Sequence, residues 1–497
     1  MEENRISDVI EFRNVGIQFR GRWILKGINL TIKEGEKIVL LGPSGSGKSV
    51  FLRLCLGLQN PIEGEILRFG EKSPYKLWAR AGVLFQNDAL FESLSVKENL
   101  LFSAKSEEGK TDHTIKEILN RVNLGELNGN ESPAELSGGM RKRLALARTL
   151  ITNPQILFID EPTSGLDPLT SNQILNLLEE IKNSKNKTLI VISHNPICAQ
   201  RLGERILYIE KGEKTLKEIS NSEFAKLPPE QIYFQKEPAQ ITQEVFKEKT
   251  GLFSNFIRGI FAYVGATYLN IKGVFSIPQI KDFQRRFVKD SLSSLPFTLS
   301  VCLLIGFLIS AQVTHSLLKL GFIGWVPVIL NKSAFEDMGY LIIGFLLSGR
   351  IATTFCAEVW RMKLGNELDA IQVMGESPAK IVLSPATCGF VIGFPIIFFL
   401  GQIFILLGGA IFSALGLGGA QLTLTFYLHK SLSEITLLQI VNTLIKSIFA
   451  GLILSIIPYT TASEIENQLL QSKATPIPTA VVLTMILLVV FNLIYPL

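Results

Sequence analysis

No dense run of lysine and arginine interleaved with aromatics occurs anywhere in the 497 residues, and that absence speaks against nucleic acid as a partner. The formal charge is only +5. Cysteine is scarce: Cys55, Cys198, Cys302, Cys356 and Cys388 are scattered, none in C-x-x-C spacing. That pattern reads as buried thiols in a reducing or lipid setting. The opening residues, Met1-Glu2-Glu3-Asn4-Arg5, contain no signal-like hydrophobic region, so the leading domain is expected in the cytoplasm. Long apolar runs are missing before about Pro238, although 47% of the chain is hydrophobic. They gather beyond Leu295, where several are long enough to span a bilayer. A chain of this length exceeds one ordinary core, so at least two domains are expected.

What is present begins at Gly42-Pro43-Ser44-Gly45-Ser46-Gly47-Lys48-Ser49, a full match to the phosphate-loop pattern G-x-x-x-x-G-K-[ST]. The apolar run Lys37-Ile38-Val39-Leu40-Leu41 before it suits a buried strand, and Ser49-Val50-Phe51-Leu52-Arg53-Leu54 after it suits a helix. Glycines in that setting let backbone N–H groups turn inward onto phosphate oxygens. Lys48 is then placed to reach the β- and γ-phosphates, and the Ser49 hydroxyl to ligate Mg²⁺. A glycine-rich turn is the alternative reading. Phe19 or Trp23 can stack on an adenine ring or belong to a core, with Phe19 the better placed for stacking.

Five further stretches share that chemistry. Gln86 ends an apolar strand, where an amide can reach Mg²⁺ or an attacking water. Ser137-Gly138-Gly139 opens a helix over residues 141–152, a second anion-binding N-terminus. Asp160 and Glu161 end another apolar strand: the first would hold Mg²⁺, the second would polarise the attacking water. Asp167 closes a tight turn, and His194 ends a strand in reach of a γ-phosphate. In this order the stretches resemble the ATP-binding-cassette ATPases, from Val9 to about Lys217. The resemblance implies a P-loop α/β domain with a small antiparallel β subdomain and a helical subdomain. It also implies ATP and Mg²⁺ as cofactors, catalytic roles for Glu161, His194 and Gln86, and nucleotide contacts from the loop, Phe19, Ser137, Gly138, Gly139 and Asp167. In that family the signature of one chain closes the ATP site of another, so a homodimer is expected.

Residues 221–250 are polar and proline-bearing, a linker by composition. Residues 252–268 carry aromatics and aliphatics at helical spacing and are expected to lie on the bilayer surface. Lys281, Arg285, Arg286 and Lys289 mark the cytoplasmic side of a first span. Spans are predicted near residues 295–313, 339–359, 381–410, 435–457 and 477–495, with Pro385 and Pro395 expected to break or tilt the third. Residues 361–380 then fall in the cytoplasm. Leu364, Leu368 and Ile371 form an apolar stripe on a short helix there, expected to dock beside Gln86, with Glu367 or Asp369 paired to a basic residue. Within the second span, Arg350 and Glu358 are charges at a costly depth. Arg350 either faces a central cavity and an anionic lipid headgroup, or makes an Arg–Glu or Arg–carbonyl contact that fixes packing.

The run Glu367-Leu368-Asp369-Ala370-Ile371-Gln372-Val373-Met374-Gly375, with Gly349-Arg350 before it and Pro378 after, resembles the MlaE-type permeases. Ala386 after Pro385, and residues 460–478, depart from that family's usual pattern. The two resemblances together imply an MlaF-like ATPase domain (residues 1–220), the linker (221–250) and an all-α membrane domain of about five spans (251–497). They imply phospholipid as cargo, a periplasmic MCE-domain (MlaD-like) partner and a small STAS-domain (MlaB-like) regulator. The expected setting is the inner membrane, and the expected role is maintaining outer-membrane lipid asymmetry. A cassette-first exporter of the white type is the alternative; it normally has six spans and lacks the Glu367–Gly375 run. Soluble cassette ATPases of translation or repair lack spans altogether.

Overall fold

The computed structural model describes residues 8–19, 21–104, 112–184, 187–209, 214–220, 224, 280–416, 423–464 and 476–495. The expected linker, Phe224 apart, and the whole of the expected surface helix, residues 252–268, lie outside the described residues. The chain forms two compact units: Met1–Lys247 with Met362–Glu376, and Glu248–Arg361 with Ser377–Leu497.

In the first unit, β1 (Asp8–Phe19) pairs antiparallel with β2 (Arg22–Lys33). The strand β3 (Lys37–Leu41) is buried along its whole length, while β4 (Glu63–Arg68) lies on the other edge of β1, giving the order β2-β1-β4. The second sheet contains β5 (Ala81–Leu84), β6 (Ile156–Asp160), β7 (Thr188–Ser193), β8 (Arg205–Ile209) and β9 (Leu216–Ile219), in the order β5-β6-β7-β3-β8-β9. All its pairings are parallel except β8 with β9. A near-continuous apolar run is what a parallel strand covered on both faces requires. Alternate residues of β3 divide accordingly. Ile38 and Leu40 join Ile10, Phe12 and Phe51 in one core; Val39 and Leu41 join Leu144, Leu146 and Leu178 in the other. Phe12 and Phe51 stack at 5.2 Å, seating the helix Lys48–Leu56 on the antiparallel sheet. The helices Gly138–Leu150 and Pro168–Lys182 cover the opposite face.

The second unit is helical. Five described helices are long and apolar enough to cross a membrane: Asp282–Leu318, Met338–Leu364, Ala379–Ala414, Leu437–Ser463 and Ile477–Ile494. The first starts well before residue 295 because its charged turn is neutralised: Arg286 forks onto Glu358 at 2.7 and 3.0 Å. Pro385 and Pro395 do not break the third, since Ser384–Ala414 is one helix. Pro385 follows directly on the π-helical turn Ala379–Leu383, with which the helix is continuous. Pro395 is flanked by the buried Phe394, Ile397 and Phe398. Two short helices, Val326–Lys332 and Leu424–Ser433, were not foreseen from the sequence. They are tied by Asn331 Nδ2 donating to the Ser431 carbonyl at 2.8 Å. Small residues let the first and third spans approach closely: a Cβ on Gly306 would strike the Ile405 carbonyl, and one on Gly408 the Leu303 carbonyl.

Candidate active site

The phosphate loop joins β3 to the helix Lys48–Leu56, as its sequence setting requires. Gly45 at φ +77° and Gly47 at φ +107° occupy backbone conformations that side chains rarely adopt. Gly47 caps the helix without any side-chain hydrogen bond, leaving its first N–H groups available to an anion. Lys48 folds back onto its own loop, donating to the carbonyls of Gly42 at 2.7 Å and Pro43 at 3.1 Å. Its Nζ lies 3.9 Å from Glu161. Burial lowers the Lys48 pKa, opposed by the charges of Glu161 and Asp160. Ser46 Oγ is buried without a hydrogen-bond partner, and Ser44 and Ser49 are exposed.

Asp160 ends β6 buried, and Glu161 follows with φ +48°. That left-handed backbone is uncommon for a glutamate, and its N–H donates to the Ile192 carbonyl at 2.8 Å. The turn sends the Glu161 carboxylate to His194, whose Nδ1 lies 2.7 Å from Oε2; the His194 N–H adds a bond at 3.4 Å. Asp160 Oδ1 has no hydrogen-bond partner. Burial, helped by neighbouring Glu161, pushes its carboxyl up to about 7. A buried, unpartnered carboxylate oxygen beside a second carboxylate fits a divalent cation, and Mg²⁺ needs few protein ligands because it keeps waters and substrate phosphates.

The other sequence candidates fall around this centre. Ser137 caps its helix by accepting from Met140 N–H at 3.3 Å, and Ser137 and Gly138 are exposed. Gly139 packs near Thr170, the residue whose N–H is capped by Asp167 at 3.0 Å. That bond from Thr170 lowers the Asp167 pKa. Gln86 is exposed, and its backbone carbonyl accepts from Lys142 Nζ at 2.8 Å. Phe19 packs against the core that lies under the loop, while Trp23 has Lys26 over its ring at 5.2 Å.

A family model described as ABC transporter matches residues 25–164, and one described as permease MlaE matches residues 284–497. The spermidine/putrescine import ATP-binding protein PotA of Spiroplasma citri is 35% identical over 256 residues, covering 50% of this chain and 70% of that protein. The chain belongs to the ABC transporter family. The chloroplastic protein trigalactosyldiacylglycerol 3 of Arabidopsis thaliana is 36% identical, over 42% of this chain and 68% of its own length. The probable ribonucleotide transport ATP-binding protein mkl of Mycobacterium leprae is 39% identical, over 40% and 60% respectively. A solved cassette, a dimer in a post-hydrolysis state bound to ADP and Pi, is 31% identical over 42% of this chain and 98% of its own, with a TM-score of 0.38. This ABC transporter therefore carries an ATP-binding, ATP-hydrolysing cassette fused to an MlaE permease, a multi-pass membrane domain. The permease match stands against the white-type alternative.

The ABC transporter's residues 362–376 pack with the cassette strands. The helix Glu367–Val373 puts Ala370 and Val373 into the core that holds Phe85 and Ala89. Leu368 and Ile371 are buried, but Leu364 is 51% exposed. Leu364 ends the preceding helix, so the expected three-residue stripe is broken by Asn366 at φ +60°. Its carbonyl, rather than its side chain, is engaged, accepting from Asn87 Nδ2 at 2.9 Å. Glu367 and Asp369 are buried rather than exposed partners. Asp369 meets Arg53 at 3.0 Å and Lys363 at 3.6 Å. Sequence reasoning did not single out Arg53 as the partner here; it reads as an ordinary helix residue.

In the permease, Arg350 and Glu358 do not pair with each other. Arg350 sits on the π-helical turn Ser348–Ala352, donates to the Ser293 carbonyl at 3.0 Å and lies over Phe297 at 5.8 Å. Glu358 instead takes Arg286 and, at 3.1 Å, Lys289. Both cations read from sequence only as markers of membrane side.

Proposed function

We propose that two copies of this ABC transporter act together in the inner membrane as an ATP-driven lipid transporter. It exchanges phospholipid with a periplasmic MCE-domain partner, assisted by a STAS-domain regulator, and so serves outer-membrane lipid asymmetry. The observation that carries the reading is the MlaE permease match over residues 284–497 behind a complete phosphate loop. The names of two cassette relatives point to different cargoes, a polyamine and a ribonucleotide, and each match spans at most 50% of this chain. The permease meets the cargo, so its family weighs more.

In the ATP cycle, the Lys48 ammonium leaves the Gly42 and Pro43 carbonyls for the β- and γ-phosphates, which offer it stronger charge-assisted bonds. Ser49, Asp160 and Gln86 would hold Mg²⁺, which neutralises charge developing on the phosphates. Glu161, aimed by its bond to His194, orients the attacking water. The exposed Ser137–Gly138 amides serve the nucleotide of the second copy. Arg350, partly buried on its span, offers its remaining donors to an anionic headgroup. Mass spectrometry of molecules co-purified with the detergent-solubilised dimer tests the cargo. Bound phospholipid is expected; a polyamine or nucleotide in its place overturns the assignment.

A further inference from the structure

A helix that binds phosphate at its N-terminus must also settle its C-terminus, where the last four carbonyls have no partner inside the helix. In the phosphate-loop helix Lys48–Leu56 each of those carbonyls is accounted for. The Arg53 carbonyl accepts from the N–H groups of Leu58 at 3.0 Å and Gln59 at 3.3 Å, and the Leu54 carbonyl from Gly57 at 3.2 Å. Those bonds are local. The others arrive from elsewhere in the cassette. Arg68, the last residue of β4, donates through Nε to the Cys55 carbonyl at 2.7 Å and through Nη2 to the Leu54 carbonyl. Its Nη1 is held by the Lys72 carbonyl at 3.0 Å. The Leu56 carbonyl takes the indole N–H of Trp78 at 2.7 Å.

Arg68 is 4% exposed, and its bonds run to carbonyl oxygens rather than to a carboxylate. A buried guanidinium is costly unless something negative faces it. What faces it is the negative end of the helix dipole, and its planar fork meets two consecutive carbonyls there. The close approach is built into the turn. Gly57 caps the helix at φ +70°, and a Cβ on it would stand 3.4 Å from Arg68 Cζ and 2.7 Å from Pro74 Cβ. At the opposite end Gly47 caps the helix with no side-chain bond. The helix is fastened at its tail and open at its head.

We infer that Arg68 is a positioning residue for nucleotide binding, one that fixes the phosphate-loop helix from its C-terminus and so aims Lys48 and the N-terminal N–H groups at the phosphates. Trp78 is the lesser part of the same anchor. Arg68 meets the helix about 12 Å along its axis from Lys48, too far to touch the nucleotide itself. Phe51, stacked on Phe12, also seats this helix. A ring stack tolerates sliding, whereas hydrogen bonds weaken steeply when bent, so the bonds to the terminal carbonyls set the height and tilt. The phosphate loop grips its ligand before and during the reaction alike. Loss of the anchor should therefore act on affinity and leave the chemical step alone.

The test is steady-state ATPase kinetics on the full chain in nanodiscs, with melting temperature and hydrogen exchange as further readouts. Arg68→Gln should raise KM for ATP roughly tenfold while kcat stays within about twofold. Arg68→Lys keeps a charge at the helix end but loses the fork, so its KM should rise only about threefold. Trp78→Phe removes one bond and should raise KM about twofold. In Arg68→Gln the amides of residues 48–56 should exchange faster, and those of residues 168–182 should not. A wild-type KM in both Arg68 variants, whatever their melting temperatures, would mean that the residue serves the fold alone and would overturn the inference. A fall in kcat at unchanged KM would do the same, as would equal rises in KM for Arg68→Lys and Arg68→Gln. Should Arg68→Gln not fold, Arg68→Lys and Trp78→Phe decide it by the same split.

Discussion

Asp160 brings together the least favourable electrostatics at the site: burial, a neighbouring carboxylate and an oxygen with no hydrogen-bond partner. Its carboxyl is pushed up to about 7, far above the unfolded value of about 3.9. Between those values the folded protein holds a proton that the unfolded chain has released. The stability this contributes is fully present below about pH 4 and is lost as pH rises through about 7. Asp160→Asn should therefore raise the melting temperature of the nucleotide-free protein at about pH 8, the gap closing toward about pH 4. Calorimetry across that range checks it; a gap that is the same at both ends refutes the assignment. Cation binding must displace the same proton, so Mg²⁺ affinity should fall as pH drops below about 7, with proton release measurable by titration in buffers of different ionisation enthalpy. At this scale much was legible. Lys48, Asp160, Glu161 and His194 are read from sequence because each ends a strand or opens a helix of recognisable pattern. The left-handed backbone of Glu161 carried no local signal, since only packing against β7 imposes it.

Among the elements, the first and third spans show how small residues substitute for hydrophobic force in a bilayer, where apolar surface gains nothing by leaving lipid. Gly306 has a carbonyl where its Cβ would stand, whereas Gly349 has open space around it. Gly306→Ala should cost about 1–3 kcal/mol by overpacking, and Gly349→Ala should be tolerated. Melting temperatures of the solubilised variants separate them, and equal losses would mean that close helix approach is not what Gly306 supplies. Apolar runs announced the spans, yet they understated the first by more than three turns, because hydropathy cannot see that Arg286 and Lys289 are neutralised by Glu358 and Asp290. The helix Glu367–Val373 was legible as a docking element. Its stripe was not, because Asn366 ends the preceding helix and turns Leu364 out to exposure.

At the scale of the whole molecule, the exposed signature motif is expected to find its nucleotide on another copy. Gly138 has no atom within 4 Å of its Cβ position, so Gly138→Asp should leave its own cassette folded. In a mixed dimer with a Lys48→Ala chain, one composite site carries both lesions and the other carries neither. Such heterodimers should hydrolyse ATP where each homodimer of a single variant does not. No recovery in verified heterodimers would mean that each site is built within one chain, or that both must fire together; cross-linking of the cassettes tells these apart.

Motifs of strictly local geometry were decided by the sequence itself: a strand, a glycine loop and a helix suffice to place phosphate-binding N–H groups, and twenty apolar residues suffice to mark a span. The order of the motifs named the cassette, and the Glu367–Gly375 run named the permease. Everything that depends on one charge finding another across long sequence separations was left to the tertiary structure. Arg53 with Asp369, and Arg286 with Glu358, are each separated by 72 residues or more. A charged residue in a helix looks alike whether it will face water or a buried partner, and only the packing that removes the water distinguishes them.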